Sequence, residues 1–263
     1  MNSTISEKLI VYFWIFCFFI SVSYIKSDFS VIFFDVGQGD AILIKTPSRK
    51  QILIDGGGDL TIVQQLGKNL GYINNSLEIS VLTHPHADHI NGLVYTLNRT
   101  KSKVVLYNDT KYDVKAFDEF NLYCLKNGNC IDVGSINQFV FKIDDVKFYV
   151  FAPDCSEGER NINNCSVILL VEYGSKKILL MGDAEHEQEN WLLDTYADSL
   201  ADIFILKAGH HCSRTASGDR FLKTTKPLIV ICSLGKENSF GHPHVETLER
   251  IKKMDQPFLG QTK

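Results

Sequence analysis

The sequence predicts an α/β protein in which two β-sheets are covered by helices. Short runs of Ile, Val, Phe and Leu, separated by turn residues, fill the first part of the chain, and later strands alternate with helical segments. Polar, histidine-rich segments directly follow several predicted strands, where loops on a rigid scaffold usually carry chemistry. With 263 residues and 44% apolar content, the chain is long enough to bury a core as one large domain.

In the first half of the chain, strands are predicted at residues 29–36, 40–46, 51–55, 78–83 and 103–107. Residues 60–70 carry apolar side chains at helical spacing, and a second helix, capped by Asp88, runs through Leu93 and Leu97. Residues 108–135 are polar and weakly patterned, so we predict an inserted loop with one short helix. In the second half, we predict strands at 139–143, 146–152, 167–173, 177–181, 203–207 and 228–232, and helices at 185–195 and 245–254. Together these elements predict one domain, residues 28–263.

The N-terminus has the pattern of a targeting segment. Lys8 precedes an apolar run at residues 9–22, which is shorter than the roughly 18 residues of a membrane-spanning helix. Small residues suited to signal peptidase stand near the end of the run, at Ser21, and directly after it, at Ser23. We therefore predict a cleaved signal peptide over residues 1–23 and a secreted protein without a membrane segment. The alternative is an uncleaved single-pass signal anchor.

The cysteines and sequons agree with secretion. Removal of Cys17 with the signal leaves six cysteines, an even number that suits disulfides. Cys124 and Cys130 flank a turn and could close a small loop, and Cys155 and Cys165 could close another; six reduced cysteines in a cytosolic protein are the alternative. Sequons that would make the chain a glycoprotein begin at Asn74, Asn98, Asn108 and Asn164.

Seven of the eight histidines fall in three short clusters: His84, His86 and His89; His210 and His211; His242 and His244. Neutral imidazole is the commonest metal ligand in proteins. Asp88 adds a carboxylate to the first cluster, and Asp183, between the clusters, could bridge two ions. The sequence therefore predicts a metal site, and nitrogen with carboxylate ligands suits zinc, manganese or iron.

Six ordered segments, at residues 34–41, 54–57, 82–92, 180–185, 206–211 and 240–244, resemble the metallo-β-lactamase superfamily. The first histidine cluster is similar to its His-X-His-X-Asp-His signature, and the set is similar to the soluble metallo-β-lactamase domain of ComEC-type DNA-uptake proteins. The resemblance implies an αββα four-layer sandwich with two divalent metal ions, Zn²⁺ or Mn²⁺, at one edge. It also implies a hydrolase, since the family includes enzymes that act on phosphodiesters.

The resemblance assigns roles to individual residues. His84 and His86 would hold one metal, Asp88 and His89 the second, and Asp183 would bridge both. Either His210 or His211 would complete the second site. Asp88, Asp183 and His211 are the expected catalytic residues. One of His242 and His244 would line the substrate pocket; a surface loop with a proline turn is the alternative for both. From their position beside the second histidine cluster, and not from the resemblance, Lys207, Ser213 and Arg214 could contact phosphate in this pocket, with plain surface residues as the alternative.

The sequence departs from the family pattern at two places. It has no histidine between His89 and Asp183, so Asp154, Asn163, Asn164 or water would have to complete the first metal site. A glycan on Asn164 would conflict with that role. The family's His-His-Gly-Ser becomes His210-His-Cys-Ser213, which could free Cys212 for a disulfide with Cys232 or, less simply, supply a metal-bound thiolate.

Three further aspartates, Asp35, Asp40 and Asp55, could orient ligand histidines, although turn aspartates are equally common at such positions. The leading hypothesis is a secreted metal-dependent phosphodiesterase or nuclease that uses a metal-bound hydroxide. A net charge of -4 excludes a broad basic surface, so DNA would be contacted locally. The alternatives are hydrolysis of another ester (a phosphocholine ester, lactone or β-lactam) and a non-catalytic secreted binding protein. We infer no stable protein partner.

Overall fold

Two mixed β-sheets lie face to face in the computed structural model, which describes residues 28–70, 76–110, 112–155, 161–254 and 258–260. The predicted signal peptide at residues 1–23, with Cys17, and the sequon at Asn74 lie outside the described residues. None of the helices within the described ranges is long and apolar enough to cross a membrane.

The first sheet has six strands in chain order, antiparallel up to the third strand and parallel thereafter. They are β1 (Ser30–Phe33), β2 (Ile42–Lys45), β3 (Gln51–Ile54), β4 (Ser76–Val81), β5 (Lys101–Tyr107) and β6 (Cys130–Asp132). Its helices are α1 (Thr61–Asn69), α2 (Ala87–Leu97) and α3 (Lys115–Asn127).

The second sheet has seven strands, antiparallel from the first to the fourth and parallel beyond. They are β7 (Gln138–Ile143), β8 (Val146–Phe151), β9 (Ile168–Tyr173), β10 (Lys176–Leu180), β11 (Ile205–Lys207), β12 (Ile229–Cys232) and β13 (Phe258–Gly260). Its helices are α4 (His186–Tyr196), α5 (Asp219–Thr225) and α6 (Val245–Lys252).

The protein has four layers, helices, sheet, sheet and helices, and an apolar cluster fills each of the three spaces between them. Alternate residues of a strand face opposite sides of a sheet, so Ile42 and Ile44 on β2 pack against the other sheet, with Phe148 and Leu169. Leu43, between them, faces the helices of its own side. A third cluster packs β9–β12 against α4–α6. Both faces of each sheet are therefore buried, and the predicted αββα sandwich is confirmed.

The parallel strands place the polar loops together. Ile54 of β3 pairs with Val81 of β4, and Leu180 of β10 pairs with Lys207 of β11, so these neighbouring strands end level with each other. The segments that follow their carboxyl ends lie at one edge of the sandwich, the usual place for a site in an open α/β sheet.

The predicted elements are found near their expected positions, with three exceptions. Residues 108–135, predicted as a loop with a short helix, contain the 13-residue helix α3 and the strand β6. Helix α5 and strand β13 were not predicted. Asp88 does not cap α2: the N-cap residue is His86, with no side-chain cap hydrogen bond.

Three disulfides are formed, Cys124–Cys130, Cys155–Cys165 and Cys212–Cys232, as expected from the sequence. Two of the sequons are poor glycan acceptors in this fold. Asn108 and Asn164 are buried, and their side-chain amides hydrogen-bond within the protein. Asn98 is exposed and remains available.

Candidate metal centre

The loop between β4 and α2 brings the first histidine cluster to the edge of the sandwich. Gly39 and Gly56 allow the surrounding backbone to approach closely, because a Cβ on either residue would overlap the α2 backbone at Asp88 and Leu93 respectively. The backbone of Asp40 also donates a hydrogen bond to the Asp88 carbonyl at 3.3 Å. The ligand loop is therefore fixed by main-chain packing.

The first donor group consists of His84, His86 and Asp183, whose ligand atoms lie within 4.8 Å of one another. The hydroxyl of Thr83 donates its proton to Asp55, so it accepts from Nδ1–H of His84, 3.1 Å away. That tautomer leaves the Nε2 lone pair of His84 facing His86 Nδ1 at 3.0 Å and Asp183 Oδ2 at 3.7 Å. Burial lowers the pKa of His84 well below its ordinary value and keeps the ring neutral.

The second donor group consists of Asp88, His89 and His211. His89 donates from Nδ1 to the Asp55 carboxylate at 2.8 Å, and His211 donates from Nδ1 to the Ser233 carbonyl at 2.7 Å. In the neutral rings, both Nε2 lone pairs then face each other across 3.3 Å.

When the rings are neutral, every facing atom is a hydrogen-bond acceptor, so the space between these groups suits a cation. Asp183 Oδ1 lies 3.3 Å from His89 Nε2, and Asp183 Oδ2 lies 3.3 Å from His211 Nε2. Although burial favours the neutral ring, the Asp183 carboxylate raises the pKa of His211 to about 9. A proton therefore takes this place without metal, and a metal ion has to displace it on binding. The donor set fits divalent cations.

Asp183 lies between the two groups, within 3.7 Å of His84 on one side and 3.3 Å of His89 and His211 on the other. The carboxylate thus lies between the two donor groups, and its role as a bridge between two metals stays a prediction. Its backbone N–H donates to the hydroxyl of Ser166, which holds the loop after β10.

Lys207 lies beneath the site and not at its surface, which contradicts our expectation that it contacts substrate phosphate. Its side chain is fully buried, donates to the Gly182 carbonyl at 2.8 Å and forms an ion pair with Asp40. Asp183 Oδ1 is 3.8 Å from the same ammonium. Lys207 therefore neutralises part of the buried negative charge and orients the carboxylates.

The three aspartates that were expected to orient ligand histidines differ in their positions. Asp55 is buried, accepts from the backbone and hydroxyl of Thr83 and fixes the His89 ring. Asp40 is buried beside Lys207. Asp35 instead accepts from the backbone of Gly37 in an exposed turn.

The structure distinguishes His211 from His210. Of these two histidines, His211 belongs to a donor group among the described residues and His210 does not. His210 points to Glu185, with Nδ1 2.8 Å from the carboxylate. Burial opposes the charge of Glu185, but hydrogen bonds from His210, Asn163 and Asn161 lower its pKa to about 2. The expectation that His210 is a metal ligand is not supported by this geometry.

The residues expected to complete the first metal site are occupied elsewhere. The amide of Asn163 donates to Glu185 at 3.0 Å, and the Asn164 side chain accepts from the Glu185 backbone at 3.0 Å. Asp154 is exposed and is not part of any donor group among the described residues. The first group therefore offers three donors, one from the bridging carboxylate.

A cavity of 290 Å³ opens above the donor atoms. Its lining is Gln38, His86, Ala87, Asp88, Asp183, His210, His211, Phe240 and His242. Burial, together with the neighbouring His210 and His211, lowers the pKa of His242 to about 4, so this ring is neutral at physiological pH. Its position agrees with the predicted pocket role.

Two other predicted pocket residues lie elsewhere. Ser213 is buried; its hydroxyl bonds Thr215, and its carbonyl accepts from Thr247. His244 accepts a hydrogen bond from the Arg214 backbone at 3.0 Å and does not line the cavity. Both stabilise the loops around the site because their polar atoms bond the protein itself.

Sequence reasoning missed Phe240, Gln38 and Ser233. Phe240 directly precedes the Gly-His-Pro-His segment, and this position beside a histidine cluster was the available signal. Gln38 lies within one of the quoted motifs. Ser233 acts through its backbone carbonyl, which leaves no mark in the side-chain pattern.

Comparisons with known proteins agree with this architecture. A family model described as "Metallo-beta-lactamase superfamily" matches residues 34–236. ComE operon protein 3 of Bacillus subtilis is 27% identical over 246 residues, 87% of this chain and 31% of that protein. Recombination protein 2 of Haemophilus influenzae is 27% identical over 234 residues, 86% of this chain and 27% of that protein. The resemblance to ComEC-type proteins is confirmed, and the chain spans less than a third of either relative.

Solved structures show the same fold at low identity. The metallo-beta-lactamase fold protein YhfI from Bacillus subtilis is 11% identical with a TM-score of 0.55, covering 89% of this chain and 95% of that chain. The short form of human tRNase Z is 14% identical with a TM-score of 0.50, covering 78% of this chain and 92% of that chain.

Proposed function

Because the chain belongs to the metallo-β-lactamase superfamily, we propose that it is a metal-dependent hydrolase that cleaves phosphodiester bonds, with nucleic acid as its substrate class. The observation that carries the proposal is the pair of facing Nε2 atoms of His89 and His211, flanked by the carboxylates of Asp88 and Asp183. Such a cluster of acceptors suits cations, and it lies at the floor of a cavity lined mainly by histidine and aspartate side chains.

His84, His86 and Asp183 would hold one cation, and Asp88, His89 and His211 the other, with Asp183 within reach of both. When bound, two divalent cations lower the pKa of a coordinated water and neutralise charge on phosphoryl oxygens. The chain's own residues do the positioning. Asp55 and the Ser233 carbonyl hold the two rings with Nε2 directed into the site. Asp88, whose side chain is 28% exposed, lines the cavity and is placed to accept the proton of the attacking water.

Two considerations favour phosphodiesters over other esters. The cavity is bordered by imidazoles and a glutamine, not by an apolar tunnel that would enclose an acyl chain. One structural neighbour is named tRNase Z, and one relative is named Recombination protein 2, which supports a nucleic acid as the class of substrate. The net charge of -4 points the other way, toward small substrates, and would restrict DNA to local contacts near the metals.

We propose that the protein is secreted. The three disulfides support this, because structural disulfides persist in oxidising compartments and are rare in the cytosol. The targeting pattern at residues 1–23 has the same implication.

The decisive experiment combines elemental analysis of the purified protein with a plasmid-nicking assay in Zn²⁺ or Mn²⁺, beside bis-p-nitrophenyl phosphate and a lactone. We expect two metals per chain and metal-dependent nicking. His86→Ala should abolish nicking while the melting temperature is preserved, since this half-buried side chain belongs to no apolar core cluster among the described residues. Hydrolysis of the lactone with intact plasmid would contradict the phosphodiester assignment, and two bound metals without turnover on any ester would identify a binding protein.

A further inference from the structure

Phe240 is an exposed aromatic residue at the mouth of the metal cavity. Its side chain is 61% exposed, yet it lines the same cavity as His86, Asp88 and Asp183. Exposed apolar rings cost solvation free energy and contribute nothing to the core. Beside a candidate catalytic centre, such a ring offers an apolar surface that a bound ligand can cover.

The Phe240 ring is held in a fixed place. It stacks on His242 with ring centroids 5.8 Å apart and an interplanar angle of 24°. Asn238 fastens the turn beneath it: its Oδ1 accepts from the backbone N–H groups of Phe240 and His242, at 3.2 and 2.9 Å. Its Nδ2 donates to the carbonyls of Gly235 and His242, at 2.8 and 2.7 Å. His242 thus covers one face of the Phe240 ring. Because the turn already holds the ring in place, little conformational entropy is lost when a ligand binds to its other face.

The surroundings favour a flat ligand with polar edges. His242 is turned edge-on to His210, with centroids 5.3 Å apart, and Gln38 lines the cavity with them. No second apolar side chain larger than alanine lines this cavity in the described part of the chain, so an aliphatic group would stay half in water. A nucleobase matches, because its π-face stacks on an aromatic ring while its edge stays hydrated or bonds polar groups.

We propose that Phe240 is the stacking surface for a nucleobase next to the scissile phosphodiester, which makes it a specificity-determining residue for nucleic acid over phosphodiesters that lack bases. The inference rests on the proposed function, since it places a base beside the reacting phosphate. Stacking is tolerant of base identity, so the site would select bases as a class and not a sequence. In this role the Phe240 ring does not touch the reacting atoms, and it stabilises the bound substrate rather than the chemical step.

The test compares two substrates with three variants of the full chain loaded with Zn²⁺ or Mn²⁺. One substrate is a single-stranded DNA oligonucleotide, and the other is the same polymer built from abasic nucleotides. The variants are Phe240→Ala, Phe240→Trp and Leu125→Ala. Leu125 is the matched control because it is 82% exposed but lies on α3, away from the cavity lining.

We expect Phe240→Ala to lower kcat/KM on the DNA about 5- to 150-fold, mainly through KM, which is the range for loss of one base–aromatic stack. Phe240→Trp should retain the activity, and cleavage of the abasic polymer should be unchanged. Leu125→Ala should behave as wild type on both substrates.

A binding measurement makes the test independent of turnover. In the His86→Ala background, fluorescence of an oligonucleotide that carries 2-aminopurine should be quenched on binding, and Phe240→Ala should remove the quenching. Equal losses on DNA and abasic polymer, or no loss on either, would overturn the stacking role while leaving the phosphodiesterase intact. Failure of the wild-type protein to cleave either polymer would instead overturn the proposed function, and the stacking role with it.

Discussion

The Nδ1 atom of His211 lies 2.7 Å from the carbonyl oxygen of Ser233, and the residues beside them, Cys212 and Cys232, form a disulfide. A hydrogen bond and a covalent bond thus join the His211 loop to the end of β12 at adjacent positions. His210, His211 and Cys212 all have left-handed backbone, with φ of 43°, 52° and 62°. Such conformations cost about 1–2 kcal/mol per non-glycine residue, so the two links hold a conformation that the loop would otherwise avoid.

The Cys212–Cys232 disulfide should therefore matter for metal binding as well as for stability. Replacing both cysteines with alanine removes the link, and we expect a loss of about 3 kcal/mol, the chain-entropy value for a loop of this length. The metal ion bound by His211 should also be lost more readily to a chelator. The matched control replaces Cys124 and Cys130, whose shorter loop predicts a loss of about 2 kcal/mol without a change in metal affinity. Equal metal affinity in both double variants would show that the Ser233 hydrogen bond alone positions His211.

The two adjacent histidines should differ sharply on substitution. His211→Ala removes a donor of the second group, so we expect elemental analysis to show one metal per chain in place of two. His210→Ala breaks only the contact with Glu185 and should keep both metals. Loss of metal from the His210 variant and not from the His211 variant would mean that the loop turns the other ring into the site when metal binds.

Much of this site could be predicted from the sequence. Ligand type and spacing identify His84, His86, Asp88 and His89, because they share one loop after one strand. The apolar runs predicted most strands, and the turn between Cys124 and Cys130 predicted their disulfide. Each of these features depends on residues that are close together in the chain, so the sequence pattern is sufficient to predict it.

The features that were missed depend on tertiary packing. His210 and His211 are neighbours in sequence, and three residues with positive φ decide which ring enters the site. Lys207 has the sequence appearance of a surface cation, but the buried carboxylates Asp40 and Asp183 stabilise its charge in the interior. Helix α5 has only seven residues, too few for a recognisable apolar period.

Asp55 is expected to control the affinity for the second metal without binding it. Its carboxylate accepts from His89 Nδ1 at 2.8 Å and keeps Nε2 free for the ion. Asp55→Asn should weaken metal binding about 10- to 100-fold, as substitutions of such hydrogen-bond partners do. Titration against a chromophoric chelator measures this directly. Asp35→Asn is the control, because Asp35 accepts from Gly37 in an exposed turn and belongs to no donor group among the described residues; equal affinities in the two variants would contradict the orienting role of Asp55.

Glu189 should make stability depend on pH. This side chain of α4 is 1% exposed, and it accepts from the backbone N–H groups of Ser217 and Gly218, at 2.5 and 3.0 Å, in the segment that follows the His211 loop. Burial raises its pKa from 4.5 to about 7, although the two N–H groups and Arg250 favour the charged form.

A folded-state pKa above the unfolded value means that the folded protein binds more protons in this window. The contribution of Glu189 to stability is therefore fully present below pH 4.5 and is lost as the pH rises to about 7. The shift corresponds to about 3 kcal/mol. Chemical unfolding of the wild-type protein and of Glu189→Gln should be measured from pH 4.5 to 8, with Glu249→Gln on the exposed face of α6 as the control.

The amide introduced by Glu189→Gln would keep one acceptor for the 213–218 segment but cannot titrate, so the free energy of unfolding of this variant should fall less with rising pH than that of the wild-type protein. The difference between the two curves should change by about 3 kcal/mol across the window, while Glu249→Gln follows the wild-type curve. Parallel curves for the wild type and Glu189→Gln would show that the two backbone N–H groups and Arg250 keep the carboxylate ionised throughout. In that case the segment after His211 is held by a permanent charge, and its stability does not depend on pH in this range.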